Sequence, residues 1–202
     1  MEEIMKPPSS IELRIKAIET LLIERDLIDP RIVDEMIDMF SNKIGPRDGA
    51  KVVARAWSDP CFKSRLLKDG KNAVSELGLG GGDAEFVVVV ENSNDVHNVV
   101  VCTLCSCYPW NLLGLPPSWY KSLSYRSRVV QEPRKVLAEL GLRVSDQVEI
   151  RVWDSTSEVR YLVLPQQPVE SVGLSEEELS EWVTRDSMVG TGQPRRPTMI
   201  QK

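Results

Sequence analysis

"EFVVVVENSNDVHNVVVCTLCSCYPW", residues 85 to 110, decides the fold class. Two β-branched runs, "EFVVVVEN" and "HNVVV", flank "NSND", a turn composition, so two short strands joined by a turn are predicted. Cys102, Cys105 and Cys107, three of the chain's four cysteines, follow the second run directly. That places them on a loop at the end of a buried strand, a usual mounting for binding and catalytic groups. Just upstream, "GLGGGD" at 78–83 breaks the pattern. It lacks the G-x-x-x-x-G-K-[ST] spacing and follows no clear strand, so it is not a phosphate loop.

N-terminal to that break the chain reads as helix. Ile11, Ile15, Ile18 and Leu22 recur at helical spacing between charges. Asp29-Pro30 is an N-cap with proline at the first helical position, and it opens a second helix carrying Ile32, Val33, Met36, Ile37 and Phe40. A short helix over 47–57 and another started by Asp59-Pro60 follow. C-terminal to the cysteines, 122–132 and 133–140 read as helices, the second ending at Gly141. "QVEIRVW" and "EVRYLVLP", joined by "DSTS", read as a second strand pair. Ser175 with Glu178 forms a capping box for a last helix near 176–184, and "GTGQPRRP" onward reads as a mobile tail.

With 202 residues, the chain is long enough for one domain with a sizeable core plus a small appended part. A net charge of −5 argues against a nucleic-acid surface. No apolar run reaches the roughly 18 residues of a membrane span, and "MEEIMKPPSS" lacks a signal-peptide layout. A cytoplasmic setting is expected, where thiols stay reduced and clustered cysteines point to metal or redox chemistry.

Several readings compete for the cluster. Structural zinc wants four Cys or His ligands, usually in two spaced pairs, but Cys61 lies in a separate helix and His97, the single histidine, on a strand. An iron–sulfur cluster needs four thiolates. A thioredoxin-type C-x-x-C opens a helix, and here a third cysteine and Pro109 intervene. Three simply buried thiols fit the usual fate of one cysteine but explain poorly why three are adjacent. The C-x-C spacing fits a fifth reading better. If the Cys105 and Cys107 sulfurs bind one ion, the backbone nitrogens of Ser106 and Cys107 close five-membered chelate rings. Cys102 then supplies a third sulfur, giving five donors and one open position on a Lewis-acidic metal.

"VCTLCSC", residues 101–107, resembles the metal-binding motif of nitrile hydratase alpha subunits. The likeness continues through "YPW", "LGLPPSWYK", "YRSRVV", "PRKVL", "VEIRVWDS", "EVRYLVLP" and "WVTRDSM", spanning about residues 10–190. The thiocyanate hydrolase metal subunit is the near relative and the alternative within the enzyme class. A non-catalytic module, either a zinc-stabilised adaptor or a cobalt carrier, is the alternative outside it.

The resemblance implies hydration of nitriles to amides at a non-haem, low-spin metal. Thr103 and Tyr108 match the cobalt type, so Co(III) is implied, with Fe(III) as the alternative. The implied metal ligands are the sulfurs of Cys102, Cys105 and Cys107 and the backbone nitrogens of Ser106 and Cys107. Cys105, Ser106 and Cys107 form the implied catalytic set, with Cys105 as sulfinic and Cys107 as sulfenic acid, successive rungs of thiol oxidation. Trp110 and Tyr108 are implied to line the substrate pocket. Asp154, Glu158 and Arg160 match residues behind the metal, although "WDSTSE" by itself reads as a solvated turn. The implied partners are a beta subunit, in an alpha–beta pair that is often doubled, an activator or metallochaperone that inserts cobalt, and a small-molecule nitrile. The implied fold is α+β: a helical N-terminal arm at 1–45 contacting the partner subunit, a layered α-β-β-α metal-binding domain at 46–190, and a flexible C-terminal tail at 191–202.

Overall fold

A computed structural model describes residues 10–38, 45–80 and 86–197. The chain divides into two compact units, Met1–Lys43 and Ile44–Lys202. The first contains α1 (Ser10–Glu24) and α2 (Pro30–Asp38). The Asp29 carboxylate accepts from Arg31 N at 2.9 Å and pairs with the Arg31 guanidinium, capping α2 where Asp-Pro predicts a start. The apolar side chains of α1, from Ile11 to Leu21, lie more than half exposed. Phe40 and residues 81–85, including most of the glycine-rich break, fall outside the described residues.

The second unit begins with α3 (Pro46–Ser58), α4 (Pro60–Lys68) and α5 (Gly70–Glu76). Asp59 caps α4 by accepting from Cys61 N and Phe62 N, and Asp69 caps α5 by accepting from Asn72 N. Strands β1 (Phe86–Glu91) and β2 (Val96–Val101) follow, then α6 (Trp110–Leu113), α7 (Leu123–Gln131) and α8 (Pro133–Glu139). β3 (Glu149–Asp154), β4 (Val159–Leu164), α9 (Glu176–Trp182) and α10 (Arg185–Val189) complete it. The expected helices and strands are present, and the Ser175–Glu178 capping box is formed in both directions.

The strand pairing differs from the hairpins that the turn compositions suggest. β1 pairs with β4, and β2 with β3, both parallel. At residues 92–95 and 155–158 the chain therefore crosses from one two-stranded sheet to the other. The Asn92 side chain supports the first crossing: its Oδ1 accepts from Asn98 N at 2.7 Å and Asn98 Nδ2 at 2.9 Å. Helices α4 and α5 lie on β1, α8 on β3, and α10 on both β4 and α3, while β2 meets β4 between the sheets. Val99, Val100, Val101, Leu162, Val163 and Leu164 sit in the buried core so formed. No helix among the described residues is long and apolar enough to cross a membrane.

Residues 190–195 are tied down, unlike the tail the composition suggests. Gly190, at φ +86°, passes so close to β2 that a Cβ there would meet Asn98 O at 1.9 Å. Thr191 N and Gly192 N donate to Asp186 O, and Arg195 N to Trp182 O. Residues 198–202 lie outside the described residues.

Candidate metal centre

The parallel β2–β3 pair sets the site. Its register places Val101 beside Asp154, at the C-terminal ends of both strands. β2 is buried to its last residue and delivers Cys102, only 1% exposed, at the edge of the core. The next residue is captured from β3. Asp154 accepts from Thr103 N at 2.9 Å through Oδ1 and from Thr103 Oγ1 at 2.6 Å through Oδ2. The loop then turns back on itself, with Cys105 N donating to Cys102 Sγ at 3.3 Å.

The three sulfurs converge. Cys102 Sγ lies 3.6 Å from Cys105 Sγ, which lies 3.2 Å from Cys107 Sγ. Two sulfurs sharing one ion at about 2.3 Å are separated by roughly 3.3 to 3.8 Å, so these spacings are close to those of a common ligand set. The backbone N–H groups of Ser106 and Cys107 point at the Cys105 sulfur. The three sulfurs thus lie within reach of one ion, with the two amides of the C-x-C turn directed at the middle sulfur. Among the described residues these three cysteines form the one group of at least three His, Cys, Asp or Glu side chains able to hold an ion.

The sulfurs are not equivalent. Cys102 is buried, Cys107 is 8% exposed and Cys105 is exposed. The Cys107 thiol and the Ser106 N–H, both donating to its sulfur, pull the Cys105 thiol down to about 7. Burial, reinforced by the neighbouring sulfurs, pushes the Cys107 thiol up to about 12, with the Arg160 charge opposing the rise. Cys105 is thus the more acidic of the two.

Among the described residues no fourth Cys or His side chain joins the three sulfurs. His97 is committed elsewhere: its Nε2 lies 2.7 Å from Gly190 O and its Nδ1 3.3 Å from Asn92 Nδ2. An Nε2–H donating to the carbonyl and a bare Nδ1 accepting from the amide satisfy both contacts. Cys61 is exposed at the start of α4. C-x-x-C opens no helix either, since α6 begins only at Trp110.

The other sequence-derived residues take distinct places. Trp110 opens α6 three residues beyond Cys107 and is 37% exposed. Tyr108 is fully buried, its ring edge-on to Tyr120 at 5.1 Å. Asp154 grips the loop as described. Arg160 bears on Cys107 through its charge. Glu158 is exposed at the crossing into β4, its carbonyl accepting from Phe86 N at 2.8 Å. Among the described residues no hydrogen bond joins its carboxylate to the cysteine loop.

Sequence reasoning assigns nothing to three side chains that hold this loop. Arg126 donates from Nε to Cys102 O at 3.1 Å and from a terminal nitrogen to Thr103 O at 2.7 Å. The hydroxyls of Tyr120 and Tyr125 donate to Cys107 O and Val100 O, each at 2.7 Å. Burial raises both phenols, which keeps them protonated donors. Their signal lies in the conjunction "SWYKSLSYR", which reads locally as an irregular turn and a solvated helix face.

One side of the loop is open. Leu104, between the first two cysteines, is 87% exposed. A groove of about 250 Å³ lined by Thr103, Leu123, Arg126 and Val130 adjoins it. A larger cavity of about 630 Å³ opens at the opposite end of the strands, beside His97 and Gln166, and no cysteine lines it.

A sequence profile described as "Nitrile hydratase, alpha chain" matches residues 9–192. The chain is 54% identical over 190 residues to the cobalt-containing nitrile hydratase subunit alpha of Pseudonocardia thermophila, covering 94% of this chain and 92% of that one. It is 38% identical over 201 residues to the thiocyanate hydrolase subunit gamma of Thiobacillus thioparus, covering 93% and 81%. Among solved structures, a double mutant of the Fe-type nitrile hydratase from Comamonas testosteroni Ni1 superimposes with a TM-score of 0.88 at 38% identity, covering 95% of this chain and 94% of that one.

Proposed function

The chain belongs to the nitrile hydratase alpha-chain family, and from that we propose that it is the metal-binding catalytic subunit of a cobalt-type nitrile hydratase. The reaction is R–C≡N + H₂O → R–C(=O)NH₂. The observation that carries the reading is the convergence of three sulfurs at 102–107, anchored by Asp154 through Thr103. Cys102, Cys105 and Cys107 would hold cobalt through sulfur, and Ser106 and Cys107 through nitrogen. A trivalent cobalt bound there supplies Lewis acidity toward the C≡N bond.

The rest is the work of this chain's own residues. Asp154 fixes the turn between the first two sulfurs. Tyr120 fixes the carbonyl of the third. Arg160 places positive charge beside Cys107 and favours its ionised form. Trp110, half in solvent at the start of α6, lines the approach for substrate. The order of exposure supports graded oxidation by an external oxidant such as dioxygen: Cys102 is buried and stays a thiolate, Cys107 is slightly exposed and becomes the sulfenic acid, and Cys105 is exposed and becomes the sulfinic acid. Thiol oxidation follows thiolate character and access.

The open loop and the exposed Leu104 support completion of the site by a beta subunit, with α1 and α2 also held against that partner. An activator protein that inserts cobalt belongs to the same reading, as does a cytoplasmic setting, where the thiols reach it reduced. The test is the mass of the peptide spanning Cys102 to Cys107, with metal analysis, on protein made together with the beta subunit. Three added oxygens, one cobalt per chain and amide formation from a nitrile are expected. Unmodified thiols holding zinc, with cobalt supplied, would leave a structural thiolate site. Turnover of thiocyanate with none of nitriles would favour the thiocyanate hydrolase reading.

A further inference from the structure

Between residues 120 and 126, three side chains donate to four carbonyls of the segment 100–107. Tyr125 takes Val100 O, Arg126 takes Cys102 O and Thr103 O, and Tyr120 takes Cys107 O. Two of these four bonds come from one group, the Arg126 guanidinium. Thr103 is consequently held on every polar atom it has: its N–H and hydroxyl by the carboxylate at the end of β3, its carbonyl by the guanidinium of α7.

We propose that Arg126 is a positioning residue for the metal loop, fixing the two peptides after Cys102 so that its sulfur is already in place when the metal arrives. The proposal rests on the metal-centre reading above. The planar fork of a guanidinium suits this task, because its nitrogens lie in one rigid plane and two of them reach two successive carbonyls together. Charge is the smaller part of the role. Arg160 is a cation whose charge bears on the Cys107 thiol. Arg126 acts on carbonyl oxygens, through geometry. Removing it releases the Cys102–Thr103 and Thr103–Leu104 peptides to water while Asp154 keeps its grip on the Thr103 N–H and hydroxyl. The loop then samples orientations in which the Cys102 sulfur is turned away from the other two.

The experiment compares Arg126→Met, Arg126→Lys and Arg128→Met in the reduced full-length chain, titrated anaerobically with Co(II). The same variants made with the beta subunit are read by their sulfur-to-cobalt charge-transfer bands. Arg128 lies on the same helix, but its guanidinium bonds Glu132 and Glu139 and does not touch the loop. Groups that orient ligands typically matter by 10–100-fold in metal affinity, so Arg126→Met should bind Co(II) about 10-fold more weakly or worse and shift the bands. Arg126→Lys keeps the cation without the fork and should fall between Arg126→Met and the parent. Arg128→Met should lower thermal stability and leave affinity and bands unchanged. If Arg126→Met does not fold, Arg126→Lys alone decides. Parent-like affinity and bands in either Arg126 variant would overturn the proposal, as would an equal shift in Arg128→Met. If the parent chain itself takes up Co(II) without sulfur-to-cobalt bands, the metal-centre reading fails and the proposal with it.

Discussion

Thr103 is a small residue with an unusually complete set of partners. Its side chain and amide share one carboxylate, and Asp154 has no reason to face it except the register of two strands. Bonds to an ionised acceptor contribute more than neutral ones, about 1.5–3 kcal/mol when shielded, and solvent reduces that for an exposed carboxylate. Asp154→Ala and Thr103→Val should each lower the stability of the metal-free chain by about 1 kcal/mol. Combined, they should cost less than the sum, because each removes the same bond between hydroxyl and carboxylate. A double-mutant cycle by urea denaturation checks this, and strict additivity would mean the bond between hydroxyl and carboxylate is not populated in solution. At this scale the gathering of the three sulfurs was legible, because C-x-x-C-x-C keeps them within six residues. Asp154 was legible only through family likeness, since "WDSTSE" carries no local sign of what it faces. Arg126 and Tyr120 were not legible as loop-holders, because a carbonyl offers no sequence signal to its donor.

At the scale of elements, α10 is held by the close pass of its C-terminal glycine over β2. Gly190 lies in the left-handed region, and a side chain there would run into the Asn98 carbonyl. Gly173 has a similar φ of +89° but open space around its Cβ position. The pair separates conformational strain from collision. Gly173→Ala should cost only the left-handed penalty, about 1–2 kcal/mol. Gly190→Ala adds a backbone clash and should cost clearly more, on the order of 4 kcal/mol, by thermal or chemical denaturation. Equal losses would show that α10 shifts away freely. Helix starts were the most legible elements, since Asp59-Pro60 and Ser175 with Glu178 act within one turn of chain. α10 escaped notice because five residues show no periodicity and its box uses Ser187 in place of Glu or Gln. The strands were legible as valine-rich runs but their partners were not. A turn such as "NSND" looks alike whether it closes a hairpin or carries the chain between sheets. Here the Asn92 side chain receives the Asn98 amide, so the chain crosses instead of pairing with itself.

Over the whole molecule, the single histidine joins parts of the chain that are far apart: the crossing at Asn92, strand β2, and the segment after α10. Burial lowers the His97 pKa, with the Gly190 carbonyl opposing as the smaller effect. The unfolded chain therefore takes up this proton first, near pH 6.5. The stability from neutral His97 is complete above that value and declines as pH falls from it toward the lower folded value. The melting temperature should drop on acidification below about pH 6.5, and His97→Gln should flatten that part of the profile. A profile unchanged by the substitution would show that carboxylates alone set the acid limb. The same long reach governs the metal loop. Thr103 and Asp154 are separated by 51 residues. At about 5–20 residues per second of synthesis, the thiols leave the ribosome roughly 3 to 10 s before their anchor does. Through that interval the nascent chain carries three reduced cysteines without the carboxylate that grips Thr103, so orderly cobalt capture belongs after translation has passed β3, and an earlier encounter with a thiol-seeking ion would catch them in the wrong geometry.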